Sequence, residues 1–252
     1  MIPHVRKALV SAVAIATLLL TTEPATAASV VPPPGPGAYG SGTLGDWTIG
    51  SHAVSSPVRI QEAVDTGGVW LLGDSITVAT YSDFGTRLHA ATGQVIAVDG
   101  KSGRPTPPTI DVLEQWASTY GLPPVVIIAS GANDIFGPVG PTSIAAQIDR
   151  AASIVGPDTA LIWVETHISR WLQPGYIQVN DQRNTGWING VIWEATARHD
   201  NLSVVAWERY ISIVPDRVRA YLSDGVHLDP ADGMVARNSL MVQAVQAAMA
   251  AG

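Results

Sequence analysis

The run Val69-Trp70-Leu71-Leu72-Gly73-Asp74-Ser75-Ile76-Thr77 decides the fold of this chain. Its four leading apolar residues read as a short strand, and Gly-Asp-Ser ends that strand in a turn whose polar side chains can cap a following helix. In a parallel α/β sheet, ligands bind beyond the carboxyl ends of the strands. The spacing therefore predicts a serine hydroxyl at the sheet rim and at a helix start. Taken alone, Gly-Asp-Ser is more simply an ordinary turn with a helix cap.

Downstream of Val69, short apolar runs alternate with longer stretches at helical spacing, the pattern of parallel strands joined by helices. Strands are predicted at Val69 to Leu72, Gln94 to Val98, Val125 to Ala129, Ala160 to Val164 and Leu202 to Ala206. Helices are predicted near Ser82 to Ala91, Thr109 to Tyr120, Ser143 to Ile154 and Asp181 to His199. A closing helix is predicted from Pro230 to Ala248, because Asp229 can cap it and proline is tolerated in its first turn. The expected fold class is α/β, a three-layer α/β/α sandwich on a five-stranded parallel sheet. It forms one domain over residues 69–252, with no internal repeat.

Upstream, Arg6 and Lys7 precede an apolar run from Ala8 to Leu20, and Ala25-Thr26-Ala27 fits the small-x-small rule for signal-peptide cleavage. At about 13 residues the run is short against the roughly 20 that span a bilayer. Residues 1–27 are therefore expected to be a signal peptide cleaved after Ala27, with a product that is secreted or envelope-associated and carries no integral membrane segment. Residues 28–68 are expected to be a Pro/Gly-rich leader, as in Pro32-Pro33-Pro34-Gly35-Pro36-Gly37, followed by irregular structure packed on the domain. The net charge is −7, and the few Lys and Arg residues are scattered, which argues against a nucleic-acid partner. The absence of cysteine excludes thiolate nucleophiles, disulfides and Cys-based zinc sites.

Three further segments fall at the same rim. After the second strand comes Val98-Asp99-Gly100-Lys101-Ser102-Gly103-Arg104, whose Gly100-Lys101-Ser102 invites a phosphate-loop reading. That motif needs glycine at position 95, where Val95 stands, so the reading fails. After the third strand comes Ser130-Gly131-Ala132-Asn133-Asp134, and before the closing helix Asp224-Gly225-Val226-His227-Leu228-Asp229. A calcium loop would need acids or amides at alternate positions, and Val226 and Leu228 break that pattern. Singly, each of these residues suits a turn, a cap or a solvated surface.

Together, the four segments resemble the SGNH hydrolases, also called GDSL esterases and lipases, from Val69 to the end of the chain. The resemblance implies the flavodoxin-like SGNH fold and a catalytic set of Ser75, Asp224 and His227. It also implies an oxyanion hole from the Ser75 and Gly103 N–H groups and the Asn133 amide, with neither metal nor cofactor. Ile76 stands where the family usually has leucine, and Asp99 where it often has asparagine, which leaves Gly100 as an alternative to Gly103. The α/β-hydrolase elbow Gly-x-Ser-x-Gly does not fit, since Thr77 replaces the second glycine.

The residue types suit acyl transfer. A serine hydroxyl needs a neighbouring base, imidazole has an ordinary pKa of about 6.5, and a carboxylate can fix its tautomer. Preset donors stabilise the oxyanion of the tetrahedral intermediate. The expected function is a secreted serine esterase that hydrolyses carboxylic esters through an acyl-serine intermediate. Its expected partner is a small-molecule or glycan ester. Polar loops at Lys101 to Thr106 and Glu165 to Arg170 favour short, acetyl-like acyl groups on a glycan or small polar alcohol. Ile135, Phe136, Pro138 and Val139 could instead cradle a longer tail, as in a lipase. The same residues would serve an O-acyltransferase acting on envelope sugars, and a non-catalytic binding protein would not need all five. His167, Arg170 and Trp171 could line the pocket, as could Arg104, or else form a solvated loop. Trp163, Trp187, Trp193 and Trp207 sit at apolar positions and are expected to pack in the core.

Overall fold

The computed structural model describes residues 46–135, 143–214 and 216–251. The expected signal peptide, the leader up to residue 45 and the stretch from Phe136 to Val139 lie outside the described residues. In chain order the elements are β1 (His52–Val54), α1 (Pro57–Asp65), β2 (Val69–Gly73), α2 (Ser75–Thr92), β3 (Ile96–Lys101), α3 (Thr106–Tyr120), β4 (Val125–Ala129), α4 (Ile144–Val155), β5 (Ala160–Val164), α5 (Gly175–Ala195), β6 (Leu202–Val205), α6 (Trp207–Ser212), α7 (Arg217–Tyr221) and α8 (Asp232–Ala251). Short 3-10 turns lie at Trp47–Ile49 and Ala132–Ile135.

The sheet runs β1-β3-β2-β4-β5-β6, with the last five strands parallel. Its side chains alternate between two cores. Trp70 and Leu72 point into one, with Ile110, Leu113, Ile148 and Ile188 from α3, α4 and α5, while Val69 and Leu71 point into the other, with Phe84, Leu88 and Met241 from α2 and α8. Helices therefore cover both faces, which explains why these strands read as continuous apolar runs. Leaving β1 aside, the strand order is that of a doubly wound sheet whose first strand lies second in space, so its topological switch lies between β2 and β4. Gly73 pairs with both Gly100 and Ala129, so the segments carrying Ser75, Gly103 and Asn133 leave the sheet at one level beside that switch.

The expected five strands are corrected to six. β1 pairs antiparallel with β3, and Ser55 extends the link by donating its N–H to the Val98 carbonyl and accepting the Val98 N–H at its hydroxyl. Three residues without an apolar run carry little strand signal, and pairing across the edge supplies what periodicity does not. The segment expected to be irregular also holds α1, which Ser56 caps through the Arg59 N–H, with Pro57 at its first position.

α2 begins at Ser75, where the Gly-Asp-Ser turn predicts a helix start, and runs unbroken into the helix expected near Ser82; Asp74 caps it by accepting the Ile76 N–H at 3.0 Å. Its first turns are rich in β-branched residues, whose helix propensity is low, and packing overrides that preference. α8 begins two residues after the expected Pro230. Asp229 accepts the Ala231 and Asp232 N–H groups at its start. No helix among the described residues is long and apolar enough to cross a membrane.

Candidate active site

Ser75 is the first residue of α2, where first-turn N–H groups have no partner within the helix. The turn before it requires glycine. A Cβ on Gly73 would lie 2.2 Å from Thr77 Oγ1 and 2.6 Å from the Ala129 carbonyl oxygen. Ser75 Oγ lies 3.1 Å from His227 Nε2, and His227 Nδ1 lies 2.8 Å from Asp224 Oδ2. A carboxylate can only accept, so Nδ1 carries the proton and Nε2 of the neutral ring is left to accept from the serine hydroxyl.

The loop that carries the acid and the imidazole is closed on itself. An antiparallel bridge joins Leu222 to Leu228, and the Ser223 N–H donates to the His227 carbonyl at 2.8 Å. Within it, Asp224 Oδ1 accepts the Val226 N–H at 2.9 Å and the His227 N–H at 2.8 Å. Partial burial works against the Asp224 charge, but the His227 ring and these two N–H groups outweigh it and hold the carboxyl below its ordinary value.

Asn133, in the turn after β4, points Nδ2 at Asp74 Oδ2 (3.4 Å) and at the Arg104 carbonyl (3.3 Å). Its neighbour Asp134 turns inward, where its carboxylate accepts the Thr106 N–H (3.0 Å) and hydroxyl (2.8 Å). The residue before α3 is Pro105, which has no capping side chain, so Asp134 caps α3 from across the rim. Burial pushes the Asp134 carboxyl up to about 7, with the Asp74 charge adding to it and the Thr106 bonds opposing it. From below, Trp163 Nε1 donates to the Ser130 carbonyl at 3.2 Å and supports the same turn.

Of the two candidate glycines, Gly100 is buried within β3, with β1 and β2 on either side. Gly103 lies in the loop beyond, partly accessible and at φ +78°, the left-handed region that favours glycine. Arg104 does not line a pocket. It is buried, its Nη1 pairs with Asp99 Oδ1 at 2.6 Å, and its Nη2 donates to the Gly73 and Asp99 carbonyls at 2.9 and 2.8 Å. His52 of β1 reaches the other Asp99 oxygen at 3.1 Å. Asp99 thus anchors an arginine that fastens the end of β2 to the end of β3.

Beneath Ser75, Asp74 and Arg237 are both buried. Burial raises the Asp74 carboxyl, against the Ile76 N–H and the Arg237, His227 and Arg104 charges. Burial also lowers the Arg237 guanidinium to about 10, while Asp74 works in the other direction.

His167 and Arg170 also turn away from solvent. His167 is paired with Glu208 and Ser169, and Arg170 forms a two-nitrogen fork on the fully buried Asp181. Trp171 is half-buried, with the Arg219 guanidinium 5.4 Å from its ring centroid. Trp163, Trp187 and Trp207 are core residues. Trp193 is 42% exposed and donates its Nε1–H to Glu165, so its place in the core is corrected. Ile135 is wholly buried and offers no wall to a substrate. Asp74 and Asp134 suited caps in the sequence and do cap helices, but nothing there marks Asp134 as the cap of α3 or Asp74 as the partner of Asn133. Nothing in the sequence marks Glu208 as the partner of His167.

The sequence pattern of the GDSL-like lipase/acylhydrolase family matches residues 71–231. No curated protein sequence matches the chain significantly. Among solved structures, a lipase/acylhydrolase from Enterococcus faecalis aligns at 21% identity and TM-score 0.57, over 71% of this chain and 95% of that one. The C-terminal catalytic domain of Streptococcus pneumoniae peptidoglycan O-acetyltransferase A aligns at 17% and 0.54, over 73% and 93%. A Clostridium thermocellum family 3 carbohydrate esterase aligns at 19% and 0.54, over 73% and 97%. At these identities the likeness is one of fold.

Proposed function

The chain belongs to the GDSL-like lipase/acylhydrolase family, and from that premise we propose that it is a serine esterase acting through an acyl-Ser75 intermediate. The observation that carries this reading is the hydrogen-bonded chain from Ser75 Oγ through His227 to Asp224. Ser75 Oγ attacks the ester carbonyl carbon while His227 Nε2 takes its proton, and Asp224 supports the imidazolium. The Ser75 and Gly103 N–H groups and the Asn133 amide stabilise the oxyanion. His227 then returns the proton to the departing alcohol. Water repeats the sequence on the acyl-serine, releasing the carboxylic acid and the free enzyme.

The substrate we favour is a short acyl group, acetyl-like, on a glycan or small polar alcohol. The His227 and Asp224 side chains are 47% and 40% exposed, an open setting that suits a hydrated alcohol. The amino-terminal pattern ending at Ala27 supports export, which would bring the enzyme to envelope and extracellular glycans. A second reading is transfer of the acyl group to a sugar hydroxyl in place of water. It is raised by the fold shared with a peptidoglycan O-acetyltransferase domain and uses the same residues.

The test is catalytic efficiency of the purified protein on acetyl, butyryl, octanoyl and palmitoyl esters of one alcohol, with and without a chito-oligosaccharide acceptor. Efficiency should be highest at acetyl or butyryl, and a maximum at octanoyl or longer would overturn the short-acyl reading. Acyl-sugar formed faster than free acid would favour the transferase.

A further inference from the structure

At the carboxyl end of β5 a second hydroxyl, imidazole and carboxylate stand in line. Ser169 Oγ lies 2.8 Å from His167 Nε2, and His167 Nδ1 is hydrogen-bonded to the Glu208 carboxylate in the first turn of α6. Glu208 also accepts the Ser212 hydroxyl at 2.7 Å. Ser169 is wholly buried and His167 nearly so, so no substrate reaches this hydroxyl. The chemistry of a nucleophile is excluded, and what remains is mechanical.

Ser169 is the residue on which the acid–histidine loop rests. Its N–H donates to the Gly225 carbonyl at 2.8 Å, and among the described residues this is the backbone tie from residues 223–227 to the β5 rim. The contact is backbone on backbone. Gly225 has φ +93°, and a Cβ there would lie 2.2 Å from the Ser169 carbonyl oxygen and 3.0 Å from the Trp171 ring. A shift of Ser169 therefore passes directly to Gly225, next to Asp224 and two residues before His227.

We propose that Ser169, His167 and Glu208 are positioning residues that brace the Asp224–Gly225–His227 loop and so fix the height of His227 over Ser75. The Nδ1–H donates to Glu208, which leaves Nε2 to accept the Ser169 hydroxyl and locks that residue's rotamer. The inference rests on the reading of Ser75 as nucleophile, because a brace matters to rate only where His227 must meet a hydroxyl in line. Displacement of a reacting pair by about 1 Å can cost up to 10²-fold.

The test compares Ser169→Ala, Glu208→Ala, Glu208→Gln and Ile192→Val with the unmutated protein. The readouts are kcat and KM on an acetyl ester, the rate at which a fluorophosphonate inactivates Ser75, and the melting temperature. Ser169→Ala and Glu208→Ala should lower kcat and the inactivation rate about 10-fold, with KM within about twofold. Glu208→Gln keeps an oxygen for the imidazole N–H and should recover most of the rate. Ile192→Val is a core change in α5 outside the Ser169–His167–Glu208 set and should lower the melting temperature without slowing inactivation. Unchanged rates in Ser169→Ala and Glu208→Ala would overturn the brace while leaving the serine mechanism standing, and so would equal slowing in Ile192→Val. An unmutated protein that the probe does not label would overturn both.

Discussion

Asp74 holds two segments at once: Oδ1 accepts the Ile76 N–H at 3.0 Å, and Oδ2 faces the Asn133 amide nitrogen at 3.4 Å. One carboxylate therefore sets the start of the helix bearing Ser75 and the direction of the amide opposite it. Serine at this position would keep an oxygen for the cap but have none left for Asn133. We expect Asp74→Ser and Asp74→Ala both to lose turnover. Asp74→Ala should melt lower, by the ~1 kcal/mol that a cap contributes. Equal melting temperatures, or full turnover in either variant, would contradict this account of Asp74.

Asn133 should act mainly on the chemical step, since its amide is the side-chain donor proposed for the oxyanion. Asn133→Ala is expected to reduce kcat on the order of 100-fold with little change in KM, as for loss of one such donor. A change confined to KM would make Asn133 a binding residue instead.

Asp134 gives the fold a signature in pH. Between the ordinary carboxyl pKa of about 3.9 and the value of about 7 in the folded chain, the unfolded state has lost this proton and the folded state keeps it. The folded state binds more protons in that window, so stability falls as pH rises through it and the deficit is complete above it. Asn at 134 stays neutral and can still accept the Thr106 N–H. Asp134→Asn should therefore show a smaller drop in melting temperature from pH 4 to pH 8. A residual slope should remain, because burial raises Asp74 in the same direction. An unaltered slope would show that Asp134 does not carry the effect.

Asp224 should take no part in the acid limb of activity. Asp224 is held below its ordinary carboxyl value and stays ionised in mild acid. The acid limb of kcat/KM should accordingly follow one proton, with unit slope on logarithmic axes. A slope of two that remains in Asp134→Asn would mean that a second carboxyl, Asp224 or the raised Asp74, titrates in the same range.

Gly225 tests the seating of the acid–histidine loop. Alanine would meet the Ser169 carbonyl at 2.2 Å in a backbone conformation that side chains rarely adopt. Gly225→Ala should destabilise the protein by about 1–3 kcal/mol or displace the loop, with loss of turnover either way. Retention of both stability and turnover would contradict the described contact.

The parts of this fold that were legible in the sequence are those whose residues repeat a local rule. β4 and β5 keep the boundaries read from their apolar runs, since burial on both faces leaves no polar position to blur them. β1 was not legible, because three residues without an apolar run acquire strand geometry only by pairing with β3. The Gly-Asp-Ser turn marked Ser75 as a helix start, but Ile76, Thr77, Val78 and Thr80 disfavour helix and hid the continuity of α2 from Ser75 to Ser82. The four motif segments were legible because a parallel sheet delivers strand ends to one rim. Their supports were not. The pairings of Arg104 with Asp99, Asp134 with Thr106 and His167 with Glu208 arise from turns and packing between elements, and they follow no spacing rule.

The central claim is that Ser75 is the nucleophile and His227 its base. The most direct measurement is peptide mapping by mass spectrometry after treatment with a fluorophosphonate. We predict a single adduct on the peptide containing Ser75, absent in Ser75→Ala and formed far more slowly in His227→Ala. No adduct in the unmutated protein, an adduct on another residue, or labelling of His227→Ala at the unmutated rate would contradict the mechanism.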